Sequence, residues 1–187
     1  MPVITSQEPY LSERDYLEGE EYSDVPHEYL NGVVYAMAGG TREHAQIAGN
    51  IFGQLYVALR GKPCRPYNEA MRLRVQRESD LRFYYPDAMV VCRPSASNVW
   101  EDSPTVIVEV LSESTERTDR EEKRNAYFGI GALRVYALID SRRMEVTVFR
   151  REGETWGMQV LRTKEDRLAI PEIGCELSLV DIYEGVF

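Results

Sequence analysis

A chain of 187 residues, 43% hydrophobic and 28% charged, has the size and composition of one folded domain and not of a disordered segment. Its apolar runs, such as Val106-Ile107-Val108, are too short to span a bilayer, and the opening MPVITSQEPY has neither the basic start nor the apolar stretch of a secretory leader. The net charge of −9, from 31 acidic and 22 basic residues, runs against the general basic footprint of a duplex-binding protein.

In chain order, Ser12 is a predicted N-cap, with Glu13 and Asp15 in the favourable first turn of a short helix. Asn31-Gly32 between Tyr29-Leu30 and Val33-Val34-Tyr35 predicts a tight antiparallel hairpin, because both turn positions tolerate positive φ. Gly39-Gly40 breaks the chain and Thr41 can cap the next helix, where Ile47, Ile51, Leu55 and Leu59 form one apolar stripe. Gly61 and Pro63 end that helix. Met71, Leu73 and Val75 alternate with Arg72, Arg74 and Gln76, the pattern of a strand with one wet face. Residues 83–92 and 105–111 are nearly continuous apolar runs, as for strands covered on both sides.

A helix is expected over 119–128, then strands over 133–139 and 144–149 joined by Ser141-Arg142-Arg143. Residues 156–161 read as an edge strand, and 171–187 as a strand fragment and a turn. The economical fold class is α/β (α+β): one domain over 1–187, a mixed sheet flanked by helices and an added N-terminal hairpin. Cys64, Cys92 and Cys175 are scattered and odd in number, so neither a disulfide nor a zinc site is expected, and reduced thiols fit a cytoplasmic setting. The arginines bunch at Arg72, Arg74, Arg77 and Arg82, and again at Arg117, Arg120 and Arg124. That leaves open either a local basic groove or ordinary solvated charge.

Three charged residues sit where burial is costly. Glu109 lies within Val106-Ile107-Val108 and Val110-Leu111; there a carboxylate must reach water, pair with an arginine or hold a metal. Asp87 follows Pro86 at the mouth of another apolar strand, and Pro86 removes a ladder donor, so a bend should turn Asp87 out of regular pairing. Two acids on adjacent buried strands repel unless a cation lies between them, and all-oxygen donors point to Mg2+ or Mn2+. Lys123 shares a helical face with Ala126, Tyr127 and Ile130. It is either paired with Asp119 one turn away or turned toward the acids. Glu28, before the hairpin, is a weaker candidate, equally readable as a solvated edge residue. His44 is a cap, a packing residue or a base. Tyr127 should support Lys123 by packing, and Trp100 and Trp156 read as anchors.

Pro86-Asp87 followed by Val108-Glu109-Val110 resembles the PD-(D/E)XK nuclease superfamily. The ordered set HEYLNGVVYAMAGG, His44 opening a helix, FYYPDAMVV, VIVEVLSEST and DREEKRNAY is more specific and resembles the Uma-two family of restriction-endonuclease-like proteins over residues 10–150. The resemblance implies a four-stranded mixed core sheet and Mg2+ bound by Asp87, Glu109 and the Val110 backbone carbonyl. It departs from the superfamily at Leu111, where a lysine would stand; the family pattern supplies Lys123 instead. The implied activity is metal-dependent endonucleolytic cleavage of nucleic acid, DNA first, with Asp87, Glu109, Lys123 and Glu28 as catalytic residues, and superfamily members often dimerise. Two other classes stay open: a catalytically silent adaptor that binds nucleic acid or protein, and a structural dimerisation domain.

Overall fold

A computed structural model describes residues 10–37 and 39–187, so the expectation of a leaderless start lies outside the described residues. Ser12 caps α1 (Glu13–Glu20) by accepting the Asp15 N–H at 3.2 Å. The hairpin joins β1 (His27–Leu30) to β2 (Val33–Ala36), with Asn31 at φ 48° and Gly32 at φ 94°. Gly32 needs its freedom twice over, since a Cβ there would also collide with the Tyr10 ring.

Thr41 caps α2 (Arg42–Ala58) by accepting the His44 N–H at 3.3 Å, which also fixes where His44 leaves the first turn. Ile47, Ile51 and Leu55 are buried along one side of the helix. Thr41→Ala is expected to cost about 1 kcal/mol, the usual loss for an N-cap, read as a lower midpoint in urea at unchanged slope.

After α2 come β3 (Arg65–Asn68), β4 (Arg72–Arg77), β5 (Asp80–Tyr84), β6 (Ala88–Val91), β7 (Trp100–Glu101) and β8 (Pro104–Leu111). A π-helical stretch (Thr118–Lys123) runs into α3 (Arg124–Tyr127), followed by β9 (Val135–Asp140), β10 (Val146–Glu152) and β11 (Thr155–Leu161). The tail holds β12 (Arg167–Ile170), β13 (Cys175–Ser178) and α4 (Leu179–Ile182). The mixed α+β class holds, but the main sheet is larger than the expected four strands: six, in the order β11-β10-β9-β8-β6-β3. A second sheet of five runs β2-β1-β5-β4-β7. β8 and β9 are parallel, as are β4 and β7; β11 is an edge strand, as expected for 156–161.

The apolar run 83–92 is two strands, not one. β5 pairs within the five-stranded sheet and β6 within the six-stranded sheet, and the chain changes sheets across Tyr85-Pro86-Asp87. Pro86, with no N–H to donate, sits at the change of partners. Alternation along β8 then divides the core: Val106, Val108 and Val110 pack toward α2 and the tail, while Ile107 and Leu111 pack toward Tyr127 and Tyr136. Glu109, two residues from each of the latter pair, shares their side.

The expectation of three free thiols fails: Cys64 and Cys92 form a disulfide, and Cys175 is free. Arg65 pairs with Val91 across β3 and β6, so Cys64 and Cys92 are the next facing positions, hidden by 28 residues of sequence. The argument from reduced thiols to a cytoplasmic setting loses its basis. No described helix is long and apolar enough to cross a membrane.

Five of the seven bunched arginines pair with acids of this chain. Arg72, Arg74, Arg82, Arg117 and Arg120 each lie within 4.0 Å of a carboxylate of this chain. Trp100 carries the Arg74 guanidinium over its ring, and Trp156 stacks on Phe128 at 4.0 Å, so both tryptophans are anchors.

Candidate functional site

The antiparallel ladder between β6 and β8 ends at Ala88 opposite Val108. One step further along the same register brings Asp87 opposite Glu109. The ladder does not continue there; instead Asp87 Oδ2 accepts the Val110 N–H at 2.6 Å. The proline bend thus turns the Asp87 carboxylate onto the neighbouring strand, and its Oδ1 stands 3.3 Å from Nε2 of His44 on α2. That carboxylate favours the charged form of the His44 imidazole, raising its pKa against the opposing pull of burial.

Lys123 turns into the protein. Its ammonium lies 2.9 Å from Glu28 Oε1, 3.3 Å from Asp119 Oδ1 and 3.4 Å from Glu109 Oε1, with the lysine side chain only 8% exposed. The two sequence readings of Lys123 therefore hold together: it pairs with Asp119 and it reaches Glu109. Asp119 is buried beside it, an acid of the site and not only a helical partner of Lys123. The π-helical turn carries Asp119 and Lys123 inward together, whereas a regular α-helix was expected. Tyr127 does more than pack: its O–H donates to Glu109 Oε1 at 2.8 Å, and Tyr136 O–H donates to the Asp119 carbonyl at 2.9 Å.

The electrostatics follow from burial. Desolvation pushes the Glu109 pKa well above the ordinary carboxylate value; Asp119, Asp87 and Glu28 push it further, against the pull of Lys123. Asp119 is raised for the same first reason. Burial alone would lower Lys123, but Glu109, Glu28 and Asp119 outweigh it and hold the ammonium charged. Four carboxylates thus face one ammonium and one imidazole. Glu28 Oε1 and Asp119 Oδ1 are fully buried and accept no hydrogen bond; Lys123 satisfies their charge but not their direction.

Among the described residues no three His, Cys, Asp or Glu side chains form a ready-made metal cage; the ammonium stands among three of the carboxylates. The donor chemistry nevertheless suits a hard divalent cation. Asp87, Glu109 and the Val110 carbonyl offer oxygen alone, and four carboxylates outnumber one ammonium and one imidazole. Asp87 and His44 line a cleft of about 580 Å³ that also touches Pro26, Ala48, Gly49 and Phe52. The sequence placed Asp87, Glu109, Lys123 and Glu28 as candidates, and the fold brings them to one end of the β6–β8 ladder.

Residues 13–180 match the family Uma2, described as "Putative restriction endonuclease". Two Synechocystis proteins, both termed uncharacterized, are related over most of their length. One (slr1290) is 30% identical over 180 residues, covering 95% of this chain and 94% of its own. The other (sll1609) is 25% identical over 156 residues, covering 81% and 87%. The crystal structure of a putative nuclease belonging to DUF820 from Anabaena variabilis superposes with a TM-score of 0.74 at 16% identity, covering 92% of this chain and 98% of that one, which shows a shared fold. With 13–180 of its 187 residues matched and the fold in common, the chain belongs to the Uma2 family.

Proposed function

We propose that the chain hydrolyses phosphodiester bonds of nucleic acid in a metal-dependent reaction at Asp87 and Glu109. The observation that supports it best is the convergence of Lys123 on Glu109, Glu28 and Asp119, one register step from an Asp87 that opens on a cleft. A buried salt cluster of this kind is weak as a stabilising device. It is the arrangement expected where charge must be held ready for a reaction.

Mg2+ or Mn2+ held by Asp87, Glu109 and the Val110 carbonyl would supply Lewis-acid charge to the phosphoryl group and lower the pKa of a nearby water. The chain's own groups do the remaining work. The Val110 N–H and His44 fix both oxygens of Asp87, so its carboxylate is oriented before substrate arrives. Tyr127 holds one oxygen of Glu109 in the same way. Lys123 keeps its proton against burial, so it can hydrogen-bond the attacking water or the scissile phosphate and offset negative charge as it develops. Glu28 and Asp119 hold that ammonium in place from the two sides. DNA is the first substrate to try.

The test is incubation of the purified full chain with Mg2+ or Mn2+ and DNA or RNA in single- and double-stranded forms. Cleavage that stops on chelation with EDTA is expected. Intact substrates of every form would overturn the enzymatic reading, and metal-insensitive binding without cleavage would identify an adaptor.

A further inference from the structure

We infer that the cleft beside Asp87 receives an unpaired nucleobase, so that the chain acts on single-stranded or locally unpaired nucleic acid in preference to regular duplex. This rests on the nuclease reading and names the substrate form for that same site.

Three observations converge. The first is charge: the cleft is lined by Asp24, Glu69 and Asp87, with His44 as its basic group and no lysine or arginine among the described residues. Arg72, Arg74, Arg82, Arg117 and Arg120 each pair with an acid of the chain itself, which leaves fewer free cations for the long backbone contact that a duplex needs. A largely apolar hollow accepts a neutral flat group.

The second is shape. At about 580 Å³ the cleft is within the range of small-molecule pockets, far short of a groove for a double helix. The outward face of α2 makes its wall: Ala48 and Gly49 leave it open, and a Cβ added at Gly49 would meet nothing within 4 Å. The third is the aromatic surface beyond them. Phe52 lines the cleft, and Tyr56, 54% exposed, lies one turn on with ring centroids 6.2 Å apart. Stacking on aromatic rings is how proteins hold unpaired bases without depending on sequence, and Asn68, which also lines the cleft and accepts the Ala70 N–H with its oxygen, has amide N–H groups to offer a base edge. Because Asp87 lines the same cleft, a base seated there carries its adjoining phosphate to the carboxylates.

The experiment measures binding and cleavage separately. A short DNA strand carrying 2-aminopurine is titrated into the full chain with EDTA present, alone and annealed to its complement, and the same strands are then incubated with Mg2+ or Mn2+. Tighter single-strand binding is expected, with the 2-aminopurine quenching that stacking produces. Phe52→Ala and Gly49→Met should each weaken that binding about 10-fold or more. Gly49→Met fills the opening while improving helix propensity, so loss of fold does not confound it, and Phe52→Trp should keep both affinity and quenching. Equal or tighter binding of duplex, no binding of the single strand, or unaltered binding by both Phe52→Ala and Gly49→Met would overturn the inference. Cleft-dependent single-strand binding without cleavage would overturn only the hydrolytic reading.

Discussion

Replacing Lys123 with methionine is expected to cost about 3–5 kcal/mol of folding stability at neutral pH, the usual consequence of removing one partner from a buried ionic cluster. Methionine keeps most of the aliphatic stem and removes the ammonium, with its charge and its three donors. Glu28, Glu109 and Asp119 would then face one another with nothing to neutralise them. The loss should depend on pH in a definite direction. Glu109 and Asp119 already bind their protons more tightly folded than unfolded, because burial raises both, and loss of the ammonium raises them further. A carboxyl whose folded pKa is raised favours the native state below its unfolded pKa of about 4 and loses that contribution as pH climbs through the folded value. The deficit of Lys123→Met relative to the parent should therefore be largest at pH 8 and shrink toward pH 5. Urea denaturation of both proteins at the two pH values measures it. An equal deficit at both, or none, would show that the carboxylates are neutralised by something else.

The second large effect is catalytic. Asp87→Asn should lower the cleavage rate by about 10²–10³-fold, on the scale of losing one preorganised charged group from a site of this kind, while the fold is retained. Asparagine is the informative replacement. Its side-chain oxygen can still accept the Val110 N–H that Asp87 Oδ2 holds at 2.6 Å, whereas Asp87→Ala would leave that donor unpaired at a cost of about 1–3 kcal/mol. Loss of activity in Asp87→Asn at unchanged denaturation midpoint assigns the effect to chemistry. Undiminished cleavage by this variant would remove Asp87 from the reaction.

The site was legible in the sequence where a residue contradicted its surroundings. Glu109 amid valines and Asp87 after Pro86 break an apolar pattern, and such breaks carry information because burial of charge is costly. Asp119 gave no such signal: its i,i+4 spacing to Lys123 has the same appearance on any solvated helix, and only the inward π-turn separates the two cases. His44 was ambiguous for a similar reason, since a helix N-terminus accommodates histidine without any partner. The fold shows the same division. Capped helices and the Asn-Gly hairpin follow from local chemistry, whereas the change of sheet at Pro86 and the Cys64–Cys92 bond depend on which strands meet across long separations. Proline signalled the interruption but not that the two halves of the run would take different partners.

The position of the Lys123 ammonium has one more consequence. Glu28 belongs to β1 of the five-stranded sheet and Glu109 to β8 of the six-stranded sheet, so a single nitrogen rivets the two layers together. Any slip of one layer over the other must open that rivet on one side. The charge cluster is therefore complete only while the two sheets keep this relative position.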